Sequence, residues 1–163
     1  MKLIPDKLLP FFEMAKESGN QDNMIIEGVI TCCNAYDFEV YASGRIKSNL
    51  FSRMSLYPEK EQAAIVARCK KCGRVISIFD SHSDGYGRLE EKGRICAPKT
   101  PVRCAICQEN NFSITIKYEY PDSQELQELG ISEKGNAFTW IWITLTCCSC
   151  KMRYGNFVDF DTT

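Results

Sequence analysis

Cysteine enters this chain in spaced clusters. Cys69-Lys-Lys-Cys72, Cys104-Ala-Ile-Cys107 and Cys147-Cys-Ser-Cys150 are C-x-x-C units, and Cys32-Cys33 makes a fourth cluster. Two residues between cysteines let a tight turn present both sulfurs to one ion. Four clusters therefore predict two closed tetrahedral sites, suited to two structural Zn2+ ions. Site one is expected from Cys32, Cys33, Cys69 and Cys72, and site two from Cys104, Cys107, Cys147 and Cys150. The pair Cys32-Cys33 is the irregular part, because neighbouring side chains on an extended segment point to opposite faces. Cys33 is the firmer ligand of the two. The fourth position of site one stays open between Cys32 through a bent turn, Cys96, His82 and no metal at all. Cys148 is expected to face away from site two as a small apolar group.

Other chemistry is sparse. His82 is the only histidine, and in extended geometry Asp80, His82 and Asp84 share one side, enough for a general acid-base or a weak metal site. The run Asp80 to Glu91 resembles a calcium loop, with oxygen ligands at positions one and five, Gly85 at six and Glu91 at twelve. It departs with a histidine at position three and a glycine at eight, and it follows a strand, so a turn-rich loop is the plainer reading. No nucleophile is marked by its surroundings, and neither H-E-x-x-H nor a glycine-rich phosphate loop occurs. All-cysteine metal sets are normally closed, and a redox C-x-x-C belongs at the start of a helix in a βαβ unit. These features favour a binding protein over an enzyme, with the Asp80, His82, Asp84 loop as the enzymatic alternative.

The chain has 163 residues, 44% hydrophobic and 25% charged, which suits one ordinary domain or two small ones. Its first residues carry charges through the apolar stretch and lack a small-residue cleavage site, so no secretory signal is expected there. Nor does any stretch of about 20 apolar residues occur to span a membrane. The expected compartment is the cytoplasm, where ten cysteines meet reducing conditions and serve as metal ligands before disulfides. Net charge is −1 but segregated: −4 over residues 1–44, +7 over 45–103 and −4 over 104–163.

A basic middle has two readings. Four thiolates on one Zn2+ carry two excess negative charges, so Arg68, Lys70, Lys71 and Arg74 around one knuckle stabilise the ligand set, as do Lys151 and Arg153 after another. The same four residues offer a contact for nucleic acid. The acidic flanks oppose a polyanion, so a protein partner is preferred and nucleic acid is the alternative. The aromatic pairs Tyr118 with Tyr120 and Trp140 with Trp142 sit at strand spacing. They are expected in sheet packing rather than on a base-stacking platform.

The clusters also repeat. Cys33 to Phe38 and Cys107 to Phe112 both span five positions, Cys33 to Cys69 spans 36 and Cys107 to Cys147 spans 40, a difference that a longer loop absorbs. Knuckle, strand, excursion, strand, knuckle, strand is a pattern that resembles tandem zinc-ribbon and rubredoxin-like knuckle proteins. The likeness is strongest at Cys69-Lys-Lys-Cys72-Gly-Arg, where the glycine suits a left-handed turn. It implies structural metal and the recognition of a protein or nucleic acid.

The elements that must position these cysteines follow from periodicity. Met24–Thr31, Val75–Phe79, Phe138–Thr146 and Tyr154–Val158 read as strands. A helix is expected from Asp6 with Leu8, Leu9, Phe11, Phe12 and Met14 on one face, stopping at Gly19. Asp122 and Glu125 make a capping box for a short helix carrying Leu126 and Leu129, closed by Gly130. The expected fold is mainly β (α+β). It comprises an N-terminal helix in residues 1–22 and two zinc-ribbon-like antiparallel repeats, residues 23–95 and 96–163, with the short helix in the second.

Overall fold

The computed structural model describes residues 3–19, 23–49, 53–60, 62–88, 98–128, 130 and 134–163. It is mainly β, and its strands are antiparallel wherever they pair. In chain order they are β1 (Phe12–Gly19), β2 (Asn23–Ile30), β3 (Phe38–Ser43), β4 (Arg45–Ser48), β5 (Met54–Tyr57), β6 (Ala64–Cys69), β7 (Val75–Asp80), β8 (Thr100–Pro101), β9 (Phe112–Pro121), β10 (Trp140–Cys147) and β11 (Arg153–Asp161). Nine of them form one sheet along the path β1-β2-β9-β3-β6-β7; β10 also pairs with β9 and β11, and β8 with β3. The remaining two, β4 and β5, form a separate hairpin.

Alternation fixes which face is buried. In β9 Phe112, Ile114, Ile116, Tyr118 and Tyr120 turn inward while Ser113, Thr115, Lys117 and Glu119 turn out, and β10 alternates in the same way. Residues of period two on a strand must share a face, so these inward rows meet Ile26, Ile30, Phe38, Val40 and Phe157 in one apolar core. Tyr118 and Tyr120 are sheet packing, as expected, with Phe138 against both rings at 4.8 and 6.4 Å. Trp140 and Trp142 lie on the opposite, half-buried face, stacked on each other at 5.7 Å with the Lys117 ammonium 4.5 Å from the Trp142 ring.

The N-terminal helix is a correction. Among the described residues of this segment only Asp6–Phe11 is helical, as a 3-10 turn without a side-chain cap, and Phe12–Gly19 is strand β1, hydrogen-bonded along β2. Pro10 lacks an N–H and biases the preceding residue away from the α-region, so it ends the helix that the apolar spacing suggests. From Phe12 onward the unpaired edge of β2 satisfies the backbone instead. The apolar face accordingly splits: Leu8 is fully buried, while Met14 is half exposed.

The short helix forms at Ser123–Glu128, with the Asp122 carboxylate accepting the Glu125 N–H at 2.7 Å and Leu126 buried. Leu129 lies outside the described residues. No described helix is long and apolar enough to cross a membrane.

The connectivity of the large sheet crosses between the two halves. Phe38 lies opposite Phe112, and each also faces a cysteine of its own half, Cys69 and Cys147 respectively. The strand leading into each first knuckle pairs with the other half: β2, ahead of Cys32, pairs with β9, and β8, ahead of Cys104, pairs with β3. The expected boundary at 95/96 lies outside the described residues, and strands from both sides of it share this one sheet.

Candidate metal centres

Three of the four cysteine turns have the same backbone. In Cys69–Arg74 the Cys69 carbonyl accepts the Gly73 N–H at 2.8 Å, and its N–H donates to the Arg74 carbonyl at 2.8 Å. Cys104 makes the same two bonds with Gln108 and Glu109, both at 2.9 Å, and Cys147 with Lys151 and Met152 at 2.9 and 2.8 Å. The residue after the second cysteine is left-handed each time, with φ of +76° at Gly73, +66° at Gln108 and +67° at Lys151. Glycine adopts that region freely and other residues at a cost of roughly 1–2 kcal/mol. The glycine signal therefore exposed one knuckle and was silent on the other two. In all three turns a backbone N–H two residues on, from Arg74, Glu109 or Met152, points at the second sulfur.

Cys32-Cys33 reaches the same end differently. Cys32 and Ala35 exchange both backbone bonds, at 3.0 and 2.8 Å, across a two-residue turn in which Cys33 (φ +53°) and Asn34 (φ +60°) are left-handed. That is a type I′ turn, which needs positive φ at both central residues, a conformation that asparagine tolerates. A left-handed Cys33 breaks the alternation of an extended chain, so both neighbouring sulfurs face one point. Neighbouring side chains take opposite faces on extended strands and not in this turn.

The result is two four-sulfur groups: Cys32, Cys33, Cys69 and Cys72, and Cys104, Cys107, Cys147 and Cys150, each with all its sulfurs within 4.8 Å of one another. Individual separations are 3.6 Å for Cys32 to Cys33 and Cys32 to Cys72, and 3.5 Å for Cys104 to Cys150 and Cys107 to Cys147. A tetrahedral ion with sulfur ligands at about 2.3 Å requires sulfurs about 3.8 Å apart, so both groups fit a metal ion. The nine described cysteines are all free thiols. Cys32 is grouped with Cys33, Cys69 and Cys72; His82 is in neither group, and Cys96 lies outside the described residues. Cys148 stays out of site two, half-buried, with its N–H on the Asn111 carbonyl at 2.8 Å.

The sulfurs of each group shift one another's ionisation. Burial, then the sulfurs of Cys33, Cys72 and Cys69, push Cys32 up to about 12. At Cys107 the Glu109 N–H favours the thiolate, but burial and the neighbouring sulfurs outweigh it and push the group up to about 12. Cys104 moves the other way. Burial opposes its ionisation, yet the Cys107 N–H, the Tyr154 hydroxyl and the Ile106 N–H together bring it down to about 6. Four thiols this close cannot all ionise against one another; a divalent cation among them reverses that balance and deprotonates the set.

Tyr154 was not foreseen from sequence. Its buried hydroxyl lies 3.1 Å from the Cys104 sulfur and accepts the Ala105 N–H at 2.9 Å, so its own proton is directed at the thiolate. Groups that hydrogen-bond to ligands tune metal affinity by roughly 10–100-fold. Tyr154→Phe is expected to weaken metal retention at site two about tenfold in a chelator competition and leave site one unchanged. Equal loss at both sites would contradict this role.

Nearby cations are used internally. The Lys71 ammonium donates to the Cys33 carbonyl at 3.0 Å, Lys151 to the Cys148 carbonyl at 2.9 Å, Arg74 sits 5.7 Å from the Phe11 ring and Arg68 lies 4.0 Å from Glu39. Lys70 is exposed.

The Asp80, His82, Asp84 segment folds as a turn. The Asp80 carboxylate accepts the His82 N–H at 2.8 Å, its carbonyl accepts the Asp84 N–H at 2.9 Å, and the buried Asp84 carboxylate takes the Asp80 N–H and the Lys7 ammonium. The second Asp80 oxygen and His82 Nε2 are buried without a partner among the described residues, and these three side chains form no metal group. Glu91, the last position of the calcium-like pattern, lies outside the described residues. Compared with known proteins, the chain matches no family model, no curated protein and no solved structure.

Proposed function

We propose that this chain is a non-catalytic, zinc-stapled binding protein that recognises another protein, in the manner of an adaptor, regulator or immunity-like protein. The observation that carries the reading is the pair of four-sulfur groups at tetrahedral spacing. Four protein sulfurs complete the preferred coordination of Zn2+ and leave no open position for a substrate or water, which is the character of a structural ion. Tetrahedral sulfur also accepts iron, so the identity of the metal is part of the test.

The tandem zinc-ribbon reading is supported by register. Phe38 opposite Cys69 corresponds to Phe112 opposite Cys147, Ala67 opposite Ile76 corresponds to Leu145 opposite Tyr154, and the Lys70 N–H to Asp37 bond corresponds to that from Cys148 to Asn111. An antiparallel bridge joins the equivalent residues Phe38 and Phe112, the contact that a two-fold axis between two copies of one motif would make. A reducing compartment such as the cytoplasm keeps the ligands available.

A protein partner is favoured over nucleic acid because Arg68, Lys71 and Arg74 already have partners within the chain and the flanking segments are acidic. Elemental analysis of freshly purified, reduced protein is expected to give about two zinc ions per chain by the coordination rule. Retention on heparin should be weak and unaffected by Lys70→Glu with Lys71→Glu. Absence of metal with cysteines oxidised in pairs would overturn the zinc reading, and strong retention lost in that double variant would replace the protein partner with a polyanion.

A further inference from the structure

We infer that the outer face of the sheet around Trp140 and Trp142 is a docking surface for a basic, arginine-bearing segment of a partner protein; this rests on the protein-recognition reading above and gives it a location and a partner chemistry. Directly paired residues on neighbouring strands share a face, so the register lays this surface out in rows. One row runs Ile25, Glu119, Trp140, Asp161 across β2, β9, β10 and β11, and the next runs Glu27, Lys117, Trp142, Asp159. A third carries Val29, Thr115 and Thr144. On β2, β9 and β10 these positions alternate with the buried ones, so they point away from the core.

This face is unlike an ordinary solvated one. β2 is apolar on both sides, with Ile25 and Val29 outward against Ile26 and Ile30 inward, and β10 carries both of the chain's tryptophans outward. Apolar side chains on both sides of a strand mark a sheet that is covered on both faces. Yet among the described elements β2, β9 and β10 are in extensive contact only with their neighbours in the sheet. The indoles are held in place: they stack at 5.7 Å and 18°, and the Trp140 N–H is donated to Asp159 at 2.6 Å. Fixed tryptophans in an apolar patch with a polar rim are typical anchors of protein interfaces.

Charge selects the occupant. Trp140 lies between Glu119 and Asp161, Trp142 has Asp159 beside it, and Glu27 adds a carboxylate next to Lys117. Lys16 beside Glu27, Arg153 beside Thr146 and Arg53 across the groove that Asp159 lines stand at the margins. Lys117 shows the mode of contact, its ammonium 4.5 Å from the Trp142 ring. Trp140, between two carboxylates, has no cation against its ring among the described residues. A guanidinium stacks on an indole and pairs with a carboxylate at the same time, which a lysine ammonium does less well. Single-stranded nucleic acid also seeks aromatic rings, but the carboxylates flanking these repel phosphate. Four strands at about 4.8 Å spacing make the surface about 14 Å wide, room for one helix or strand of a partner.

Because both tryptophans of the chain lie here, their emission reports on this face alone. The probe is an octapeptide of alternating arginine and leucine, added to the full, metal-loaded chain and followed by tryptophan emission and, with a fluorescein label, by anisotropy. A saturable change in both is expected, weakening as salt is added, and none with an octapeptide of alternating glutamate and leucine. Glu119→Lys with Asp161→Lys should weaken binding about tenfold or more by charge reversal. Trp140→Thr with Trp142→Thr, which keeps good strand formers in β10, should abolish the anisotropy change. No saturable binding, equal binding of the glutamate peptide, or binding untouched by both double variants overturns the assignment. Self-association that shields the tryptophans without peptide gives the face to a second copy of the chain, and preference for a thymidine dodecamer gives it to nucleic acid; either overturns it too. Metal content and the folded spectrum of each sample separate the two levels of the argument. A folded chain with about two zinc ions and no response to the peptide sinks the docking face alone, whereas a chain without metal sinks the reading beneath it.

Discussion

Cys107→Ser is expected to abolish metal binding at site two and to unfold the second half of the chain together with the first-half strands that pair across to it, read as loss of both metal equivalents and of the β-sheet signal. The reason is magnitude. Structural Zn2+ in small motifs contributes an apparent 10–16 kcal/mol at about pH 7, as large as or larger than the roughly 5–15 kcal/mol net stability of a whole domain. Cys107 groups with Cys104, Cys147 and Cys150 in a set that could hold one ion, and Cys147 sits at the end of β10 opposite Phe112. Losing the site thus frees the ends of β9 and β10, on which the sheet turns. Chelation of wild-type protein should reproduce the effect, and Cys148→Ser, outside the group, should not. A Cys107→Ser, Cys150→Ser double variant that remained stable and soluble would sink the structural-metal hypothesis.

Phe112→Ala is expected to cost about 3–5 kcal/mol and, more tellingly, to loosen both metal sites at once. Phe112 is fully buried, faces Phe38 across the junction and Cys147 along β10, and packs edge-on against Tyr154 at 6.5 Å. Truncation opens a cavity where the two halves meet, beside the tyrosine whose hydroxyl supports Cys104. If β2 and β8 truly tie each half to the other, denaturant should release both zinc ions in one transition, at a lower midpoint in the variant. Two separate releases, with only the second shifted, would show that the halves are independent units joined by a linker.

Much of this was legible in the chain itself. The C-x-x-C spacing singled out six of the eight cluster cysteines because two intervening residues are what a knuckle requires, and strand alternation located β2, β7, β10 and β11. Capping chemistry likewise located the short helix, where Asp122 holds the Glu125 N–H. Reading failed where one local signal was outweighed by another. The apolar spacing of Leu8 to Met14 suggested a helix, but Pro10 and the open edge of β2 decided for a strand. Cys32-Cys33 was the irregular pair, because neighbouring side chains on an extended segment diverge; the bent turn that brings both sulfurs together is left-handed at two successive residues.

What sequence determined by itself was the chemistry: which side chains carry sulfur, how they are spaced, and which faces of which strands are apolar, all properties set within a few bonds of each residue. Tertiary structure alone decided the partnerships. That β2 crosses to β9 and β8 to β3, that Tyr154 reaches the Cys104 sulfur, and that β5 stops short of pairing with β11 are facts about residues far apart in the chain. Strand pairing is chosen by the sum of many weak cross-strand contacts and by the closure of long loops, neither of which leaves a mark on local composition.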